Sequence, residues 1–400
     1  MITALVYPNS MEQNKVKVLF ISHVGHLGGA ETVFLRFLAK VKSFTPFVLL
    51  PNGDLLEGLE QYGISVYRSR YLSKLNKEQN RFWVIRFCFQ FIASLFEIFK
   101  EIIQLKPDIV QSNNVYTTVY CIIPCLLSRT PLIWHMHDFV SGGKELRRLI
   151  QVISLFAKKT IAVSNAVKKD LTEAGVPNDR IVTIYNSIST DDLKKESSSL
   201  HSSIQGFKTK FDILAGIAGT LEERKGILEC IQALSLVNKA GNKRIGLIII
   251  GEASDPSQKR YEANLKKEIE KHGLKEQVLF LGRIKEIRTF FQTIDVFIHY
   301  PKNPDPLPTV ILEAIALNCP VVVSDNGGNP EIIQNGRWGK PVKANDPEEL
   351  AATLLNHTFS PLDSEERGEF LRFFSHQQKE LLHFKLYSDV VLKLSNEKYS

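Results

Sequence analysis

The sequence predicts an α/β protein built from two doubly wound, Rossmann-like domains facing a central cleft. Three observations predict it. Short β-branched and aliphatic runs alternate with helical patterns along almost the whole chain, as parallel strands covered on both faces require. A serine-rich polar stretch without periodicity, NSISTDDLKKESSSLHSSIQG, interrupts this alternation from residue 186 and reads as a linker. A fresh strand pattern then opens at Phe211. The expected division is a first domain over 1–190, a linker over 191–210 and a second domain over 211–375.

The strands expected in the first domain are VKVLFIS, PFVLL, DIVQS, PLIWHM, TIAVS and IVTIY. Those of the second are DILAGIAG, IGLIIIGE, VLFLG, DVFIHY and PVVVS. Two helical patterns stand apart. RFWVIRFCFQFIASLFEIFKEII is strongly aromatic and reads as a buried helix in preference to the alternative, a membrane-seeking one. GGKELRRLIQVISLFAKK sets Lys144, Arg147, Arg148, Lys158 and Lys159 beside an Ile/Leu/Phe face, a pattern suited to a solvated surface or to anionic lipid.

Composition is ordinary for a globular chain of 400 residues, with 44% hydrophobic and 23% charged. Charge is uneven: residues 1–190 carry 22 Lys and Arg against 14 Asp and Glu, a net +8, and residues 191–400 carry 28 against 29. An anionic partner surface is therefore expected on the first half. No zinc spacing, basic arm or interleaved aromatic and basic residues point to nucleic acid. The five cysteines, Cys88, Cys121, Cys125, Cys230 and Cys319, sit in apolar surroundings and read as reduced core residues. MITALVYPNS has no positive start and a very short apolar run, unlike a secretory signal. Met11 is a second candidate start. No run of about 18 uncharged apolar residues suggests a transmembrane helix.

Ligands in open α/β sheets bind beyond the carboxyl ends of the strands, and three such junctions carry unusual residues. In SHVGHLGGAETVF, Gly28 and Gly29 precede a helix whose N-terminus favours an anion. In AGTLEERKG, Lys225 and Gly226 open a helix, where a cation opposes the helix dipole unless an anion lies between; Arg224 adds charge. In DPLPTVILEAIALNCPVVVSDNGGNPE, Pro308 suits a helix start, Thr309 and Val310 offer free amides, Glu313 lies a turn further in, and Asp305 stays in the loop. Carboxylates accept several hydroxyl hydrogens at once, so the layout suits a phosphate flanked by sugars.

These residues resemble the family-four retaining glycosyltransferases of the GT-B fold over nearly the whole chain. The resemblance rests on the acidic pair Asp305 and Glu313, the following Gly327-Gly328-Asn329-Pro330-Glu331, the Gly28 to Glu31 segment, and His137-Asp138. AVSNAVKKDL and IYNSI add to it, and residues 376–400 resemble a last helix returning toward the first domain.

The resemblance implies transfer of a sugar from a nucleotide-diphosphate sugar, with no cofactor or metal, to a glycan or lipid-linked hydroxyl. Cell-surface polysaccharide synthesis in the cytoplasm, peripheral to the membrane, is the expected setting. It assigns the second domain to the donor and the first to the acceptor. Glu313 would bind the ribose, Asp305 the donor sugar, Thr309 and Val310 the diphosphate, and Arg283 and Ile284 the base. Lys225 would meet the diphosphate. The family's Gly-Arg-Leu-x-x-x-Lys-Gly reads here with Thr220 in place of arginine, so Thr220 or Arg224 takes that contact. Asp305 is one methylene shorter than the usual glutamate. These two departures leave open a protein that binds nucleotide sugar with little or no turnover. His137 would position donor sugar or acceptor, and His135 is expected on the opposite sheet face.

Overall fold

The computed structural model describes residues 15–72, 83–140, 143–193, 198–241 and 243–397; the candidate start at Met11 lies outside them. The chain forms two compact units, one of residues 1–186 with 376–400 and one of residues 187–375.

Unit 1 runs β1 (Lys17–Ile21), α1 (Gly29–Leu38), β2 (Thr45–Leu50), α2 (Asp54–Gln61), β3 (Ser65–Arg68) and α3 (Trp83–Leu105). It continues through β4 (Ile109–Ser112), α4 (Val115–Ser128), β5 (Leu132–Met136), α5 (Lys144–Phe156), β6 (Ala157–Ala162), α6 (Asn165–Glu173) and β7 (Ile181–Thr183). The sheet order is β3-β2-β1-β4-β5-β6-β7, all parallel. Strand alternation divides the core. Val18 and Phe20 of β1 pack with Phe37, Leu55 and Leu59 of α1 and α2, whereas Leu19 and Ile21 pack with Ile98, Ile102 and Tyr120 of α3 and α4.

In unit 2, α7 (Ser198–Lys208) precedes β8 (Ile213–Ala218), α8 (Ile227–Ala240), β9 (Ile245–Ile250), α9 (Pro256–Lys271), β10 (Val278–Gly282) and α10 (Ile287–Thr293). Then follow β11 (Val296–His299), α11 (Thr309–Ala316), β12 (Val321–Ser324), α12 (Asn329–Ile332), β13 (Lys340–Val342), α13 (Pro347–Asn356) and α14 (Ser364–Phe373). Its parallel sheet has the order β10-β9-β8-β11-β12-β13. The last helix, α15 (His376–Glu397), belongs to unit 1, where its Tyr387 joins the core beside Phe44.

Several expectations are corrected. The stretch 191–210 is not all linker, because 198–208 form α7. Leu200, Ile204 and Phe207 share one face of that helix; Ile204 is fully buried and Phe207 meets Phe211. Lys208 Nζ donates to the Thr293 carbonyl at 2.9 Å and pairs with Asp295, tying α7 to the end of α10. The short edge strands β3 and β13 went unpredicted. Cys88 is exposed, unlike the other four cysteines. The aromatic helix α3 is not buried all round, since Ile85, Phe89 and Phe96 face outward. Among the described residues, no helix is long and apolar enough to cross a membrane.

In each sheet the strand order reverses next to the central strand, between β1 and β4 in unit 1 and between β8 and β11 in unit 2. Loops leaving the two flanking strands diverge there and open a crevice. In unit 2 the loops approach through glycines. A Cβ on Gly226 would lie 1.8 Å from the Tyr300 carbonyl oxygen, and one on Gly251 would lie 1.8 Å from that of Gly219. Both glycines hold left-handed φ values, 68° and 139°, that side chains resist. Gly226→Ala and Gly251→Ala are each expected to lose more than about 2 kcal/mol of stability, through strain plus collision. Urea unfolding of each variant checks this; a loss near the few tenths typical of a surface change would contradict it.

Candidate active site

In unit 2, the strand-end loops knit into one surface. Gly219 N donates to Ile250 O at 3.0 Å, Leu221 N to Glu252 O at 3.3 Å, and Gly251 N to Gly282 O at 2.8 Å. On the other side, Lys302 N donates to Arg224 O at 2.9 Å and Gly328 N to Asp305 O at 2.9 Å. A Cβ on Gly327 would meet the Asp305 oxygen at 2.4 Å, and one on Gly328 the Pro306 oxygen at 2.1 Å. The glycine pair after β12 therefore exists to let that loop lie on residues 305–306.

The result brings together two of the expected residues. Lys225 Nζ donates to Asp305 Oδ2 at 3.1 Å, with both side chains largely buried. Burial pushes the Asp305 carboxyl up, but His299, Lys225 and Arg224 together hold it below its ordinary value. His299, at the end of β11, lies 3.7 Å from the same oxygen. Burial is the main cause that lowers its pKa, to about 4. At neutral pH the imidazole is uncharged, so Lys225 carries the attraction that keeps Asp305 ionised. The buried His299 Nε2 has no hydrogen-bond partner. Sequence reading missed this histidine. Its signal was a polar residue ending the apolar run DVFIHY beside the strand-order reversal.

The remaining expected residues lie on the loops and the helix start that follow β8, β10 and β11. Pro308 caps α11 without a side-chain hydrogen bond, so Thr309 and Val310 sit where a helix has no internal partners for its amides. Glu313 is half-buried one turn on. Thr220 is exposed, and Arg224 is paired with Glu222 at 2.7 Å. Arg283 is exposed and pairs with Glu252 at 3.3 Å, with Ile284 half-buried beside it. Cationic side chains and free amides at one helix start are an anion-binding arrangement.

Unit 1 presents a second cluster. Its α1 starts at Gly28 and Gly29. The Glu31 carboxylate accepts from the backbone amides of Glu31 and Gly28; burial nevertheless raises its pKa, and nearby Asp138 adds to the rise. At the reversal point, His23 Nδ1 lies 2.8 Å from Asn114 Nδ2 and 3.1 Å from Thr117 Oγ1.

His137 follows β5. The expectation that His135 faces away from it is wrong, because side chains two apart on a strand share a face; the two rings lie 4.0 Å apart. Below them α15 contributes His383 and Lys379. His383 Nδ1 lies 2.9 Å from the Lys379 carbonyl oxygen, and Lys379 Nζ stands 4.7 Å from the centre of the Phe37 ring. Glu380 fixes the helix by accepting from the amides of Lys42 at 2.7 Å and Ser43 at 2.6 Å. Lys379 is only 5% exposed, and burial lowers its pKa to about 7. Burial and the Lys379 charge hold His137 and His383 at about 3. Sequence reading placed His137 but not His135, Lys379 or His383, which a distant helix brings in.

The sequence profile of glycosyl transferases group 1 matches residues 202–358, and that of glycosyltransferase family 4 matches residues 27–192. The chain belongs to the group 1, family 4 glycosyltransferases, enzymes that transfer a sugar. It is 22% identical to an uncharacterized glycosyltransferase of Methanocaldococcus jannaschii, over 93% of this chain and 97% of that one. Against the Escherichia coli UDP-Gal:alpha-D-GlcNAc-diphosphoundecaprenol alpha-1,3-galactosyltransferase the identity is 23%, over 86% of this chain and 88% of that protein. The Anabaena protein HepE, solved with UDP and glucose, superposes with a TM-score of 0.76 at 23% identity, over 93% of this chain and 99% of that one. A Rickettsia africae glycosyltransferase gives 0.78 at 19%, over 95% of this chain and 99% of that one. The fold is GT-B.

The buried cluster of unit 1 predicts acid sensitivity. Folded His137 and His383 protonate near pH 3, but their unfolded counterparts do so near 6.5. The unfolded chain therefore holds more protons between these values, and stability falls as pH drops from 6.5 toward 3. Lys379 acts the same way higher up: between about 7 and its ordinary 10.5, stability rises with pH. Lys379→Met should thus stabilise the protein most below pH 7, by a few kcal/mol at about 1.4 per pKa unit, with the gain fading toward pH 10.5. Thermal unfolding across pH measures it. A gain that does not depend on pH would show that folding leaves the Lys379 pKa unshifted.

Proposed function

We propose that this enzyme transfers a sugar, with retention of anomeric configuration, from a nucleotide-diphosphate sugar to a hydroxyl of a glycan or lipid-linked acceptor in cell-surface polysaccharide synthesis. The observation that carries the reading is the Lys225–Asp305 pair beside the uncapped start of α11. The diphosphate takes Lys225 and the amides of Thr309 and Val310, and Arg224 and Thr220 border it. Glu313 accepts the ribose hydroxyls. Asp305, released from Lys225 as the diphosphate arrives, meets the donor sugar. Arg283 and Ile284 flank the base. As the bond from anomeric carbon to phosphate breaks, negative charge grows on the leaving diphosphate, where a fixed cation and helix dipole stabilise it most.

Unit 1 receives the acceptor, with His137 positioning the reacting groups. HepE in complex with UDP-glucose, and a relative whose name specifies a UDP-sugar and a diphosphoundecaprenol-linked acceptor, support both halves of the reading. The net +8 of residues 1–190 and the basic, amphipathic α5 support a site of action in the cytoplasm, peripheral to the inner face of the membrane.

Calorimetric titration with nucleoside diphosphate and with intact donor, beside a turnover assay, tests the assignment. Glu313→Gln removes one acceptor oxygen and the charge, so affinity for both ligands should fall roughly ten- to a hundred-fold. Lys225→Ala should weaken both as well. Asp305→Asn should reduce turnover more than it reduces binding of the bare diphosphate. Unchanged nucleotide binding by folded Glu313→Gln would remove the ribose assignment. Tight donor binding by the native protein, without turnover on any acceptor, would favour a silent sugar-nucleotide binder.

A further inference from the structure

Unit 1 wears much of its apolar surface on one side. Of the 18 large apolar side chains exposed among the described residues, 14 lie on α3, α4 and α5. The three helices follow one another along the sheet, with α3 packed on α4 and α4 on α5. Right-handed crossovers place them on the same face.

α3 is apolar on both sides. Ile85, Phe89, Ile92, Phe96 and Ile103 recur at three- and four-residue steps and their multiples, forming one outward stripe, with Phe96 71% exposed. The inward side sends Ile98 and Ile102 into the core, and beside them holds Ser94, fully buried, and Glu101, whose Oε2 is buried without a hydrogen-bond partner. A helix with one apolar stripe in the core and a second outside it is not arranged for water. Leu126 and Leu127 extend the surface on α4, and Val152 and Leu155 on α5. The first turns of α5 add exposed Lys144, Arg147 and Arg148. Acids do not match these cations: Glu97 accepts from Ser69 Oγ and Arg70 N, Glu101 is buried, and Glu145 alone stays exposed on these helices.

We propose that the α3–α4–α5 face docks into an anionic bilayer, its apolar side chains entering the acyl region and Lys144, Arg147 and Arg148 meeting lipid phosphates. This deepens the membrane-peripheral part of the reading above by naming the surface and the lipid class. Charge selects the bilayer over a second copy, since a copy would set cations against cations. A continuous apolar face of this kind, rimmed with basic residues, matches the requirements of an interfacial anchor, and each basic residue near an anionic surface contributes about fivefold in partitioning.

Cys88 supplies the test. It is exposed on α3, and the other four cysteines are buried, so a polarity-sensitive thiol dye labels it selectively. The labelled protein is mixed with phosphatidylglycerol–phosphatidylcholine vesicles or with phosphatidylcholine alone, and unlabelled protein is sedimented with the same vesicles. The expected result is a blue shift and quenching by bromine-bearing acyl chains with the anionic vesicles. Phe89→Ser with Phe96→Ser should abolish both. Arg147→Ala with Arg148→Ala should weaken partitioning about 25-fold. All four positions are exposed, and unchanged thermal unfolding verifies the variants. No shift with anionic vesicles overturns the proposal, as does partitioning indifferent to these substitutions. A lipid-free shift that grows with protein concentration also overturns it, in favour of self-association. Nucleoside diphosphate titration of the same variants separates the two readings: unchanged binding leaves the donor site standing whatever the vesicles show.

Discussion

Backbone lying directly on backbone is the constraint on which the unit 2 site depends. Gly226 rests on Tyr300, Gly251 on Gly219, and Gly327-Gly328 on residues 305–306. Each contact is closed to any residue with a Cβ. Together they bring loops from four strand ends near enough for a lysine after β8 to reach an aspartate after β11 at 3.1 Å. The ion pair follows from the glycines rather than holding the loops itself, since the cost of desolvating two largely buried charges offsets much of their Coulomb attraction. Its value is preorganisation: a cation already desolvated and aimed needs little rearrangement when a diphosphate replaces the carboxylate.

Unit 1 solves a different problem. Lys379, His135 and His383 are buried together, with His137 half-buried beside them. Burial keeps the imidazoles neutral, so His137 can donate from one nitrogen and accept at the other. That is the state suited to holding sugar hydroxyls, which also donate and accept. The neighbouring charge of Lys379 reinforces it, by opposing a second cation in the same space.

The architecture was legible because parallel strands buried on both faces leave continuous apolar runs, and eleven such runs were read. The strands missed, β3 and β13, are short edges with partly exposed residues, where no such run forms. α7 was hidden by composition: serines masked the helical spacing of Leu200, Ile204 and Phe207. Motif spacing located Lys225, Asp305 and Gly327-Gly328, because close approach and anion binding demand particular residue types. It could not locate His299, Lys379 or His383. A histidine ending a strand and a lysine on a late helix look like any others until the fold shows what lies across from them. The exposed face of α3 was misread for a related reason, since an apolar stripe states that it avoids water, not which way it points.

The central claim is that Lys225 exchanges Asp305 for the donor diphosphate at the start of α11. A structure of the enzyme with a nucleotide-diphosphate sugar bound tests it most directly. The account predicts phosphate oxygens within hydrogen-bonding distance of Lys225 Nζ and of the Thr309 and Val310 amides, with Asp305 turned to the sugar and Glu313 to the ribose. A bound donor that leaves the Lys225–Asp305 pair intact, its diphosphate held elsewhere, would contradict it.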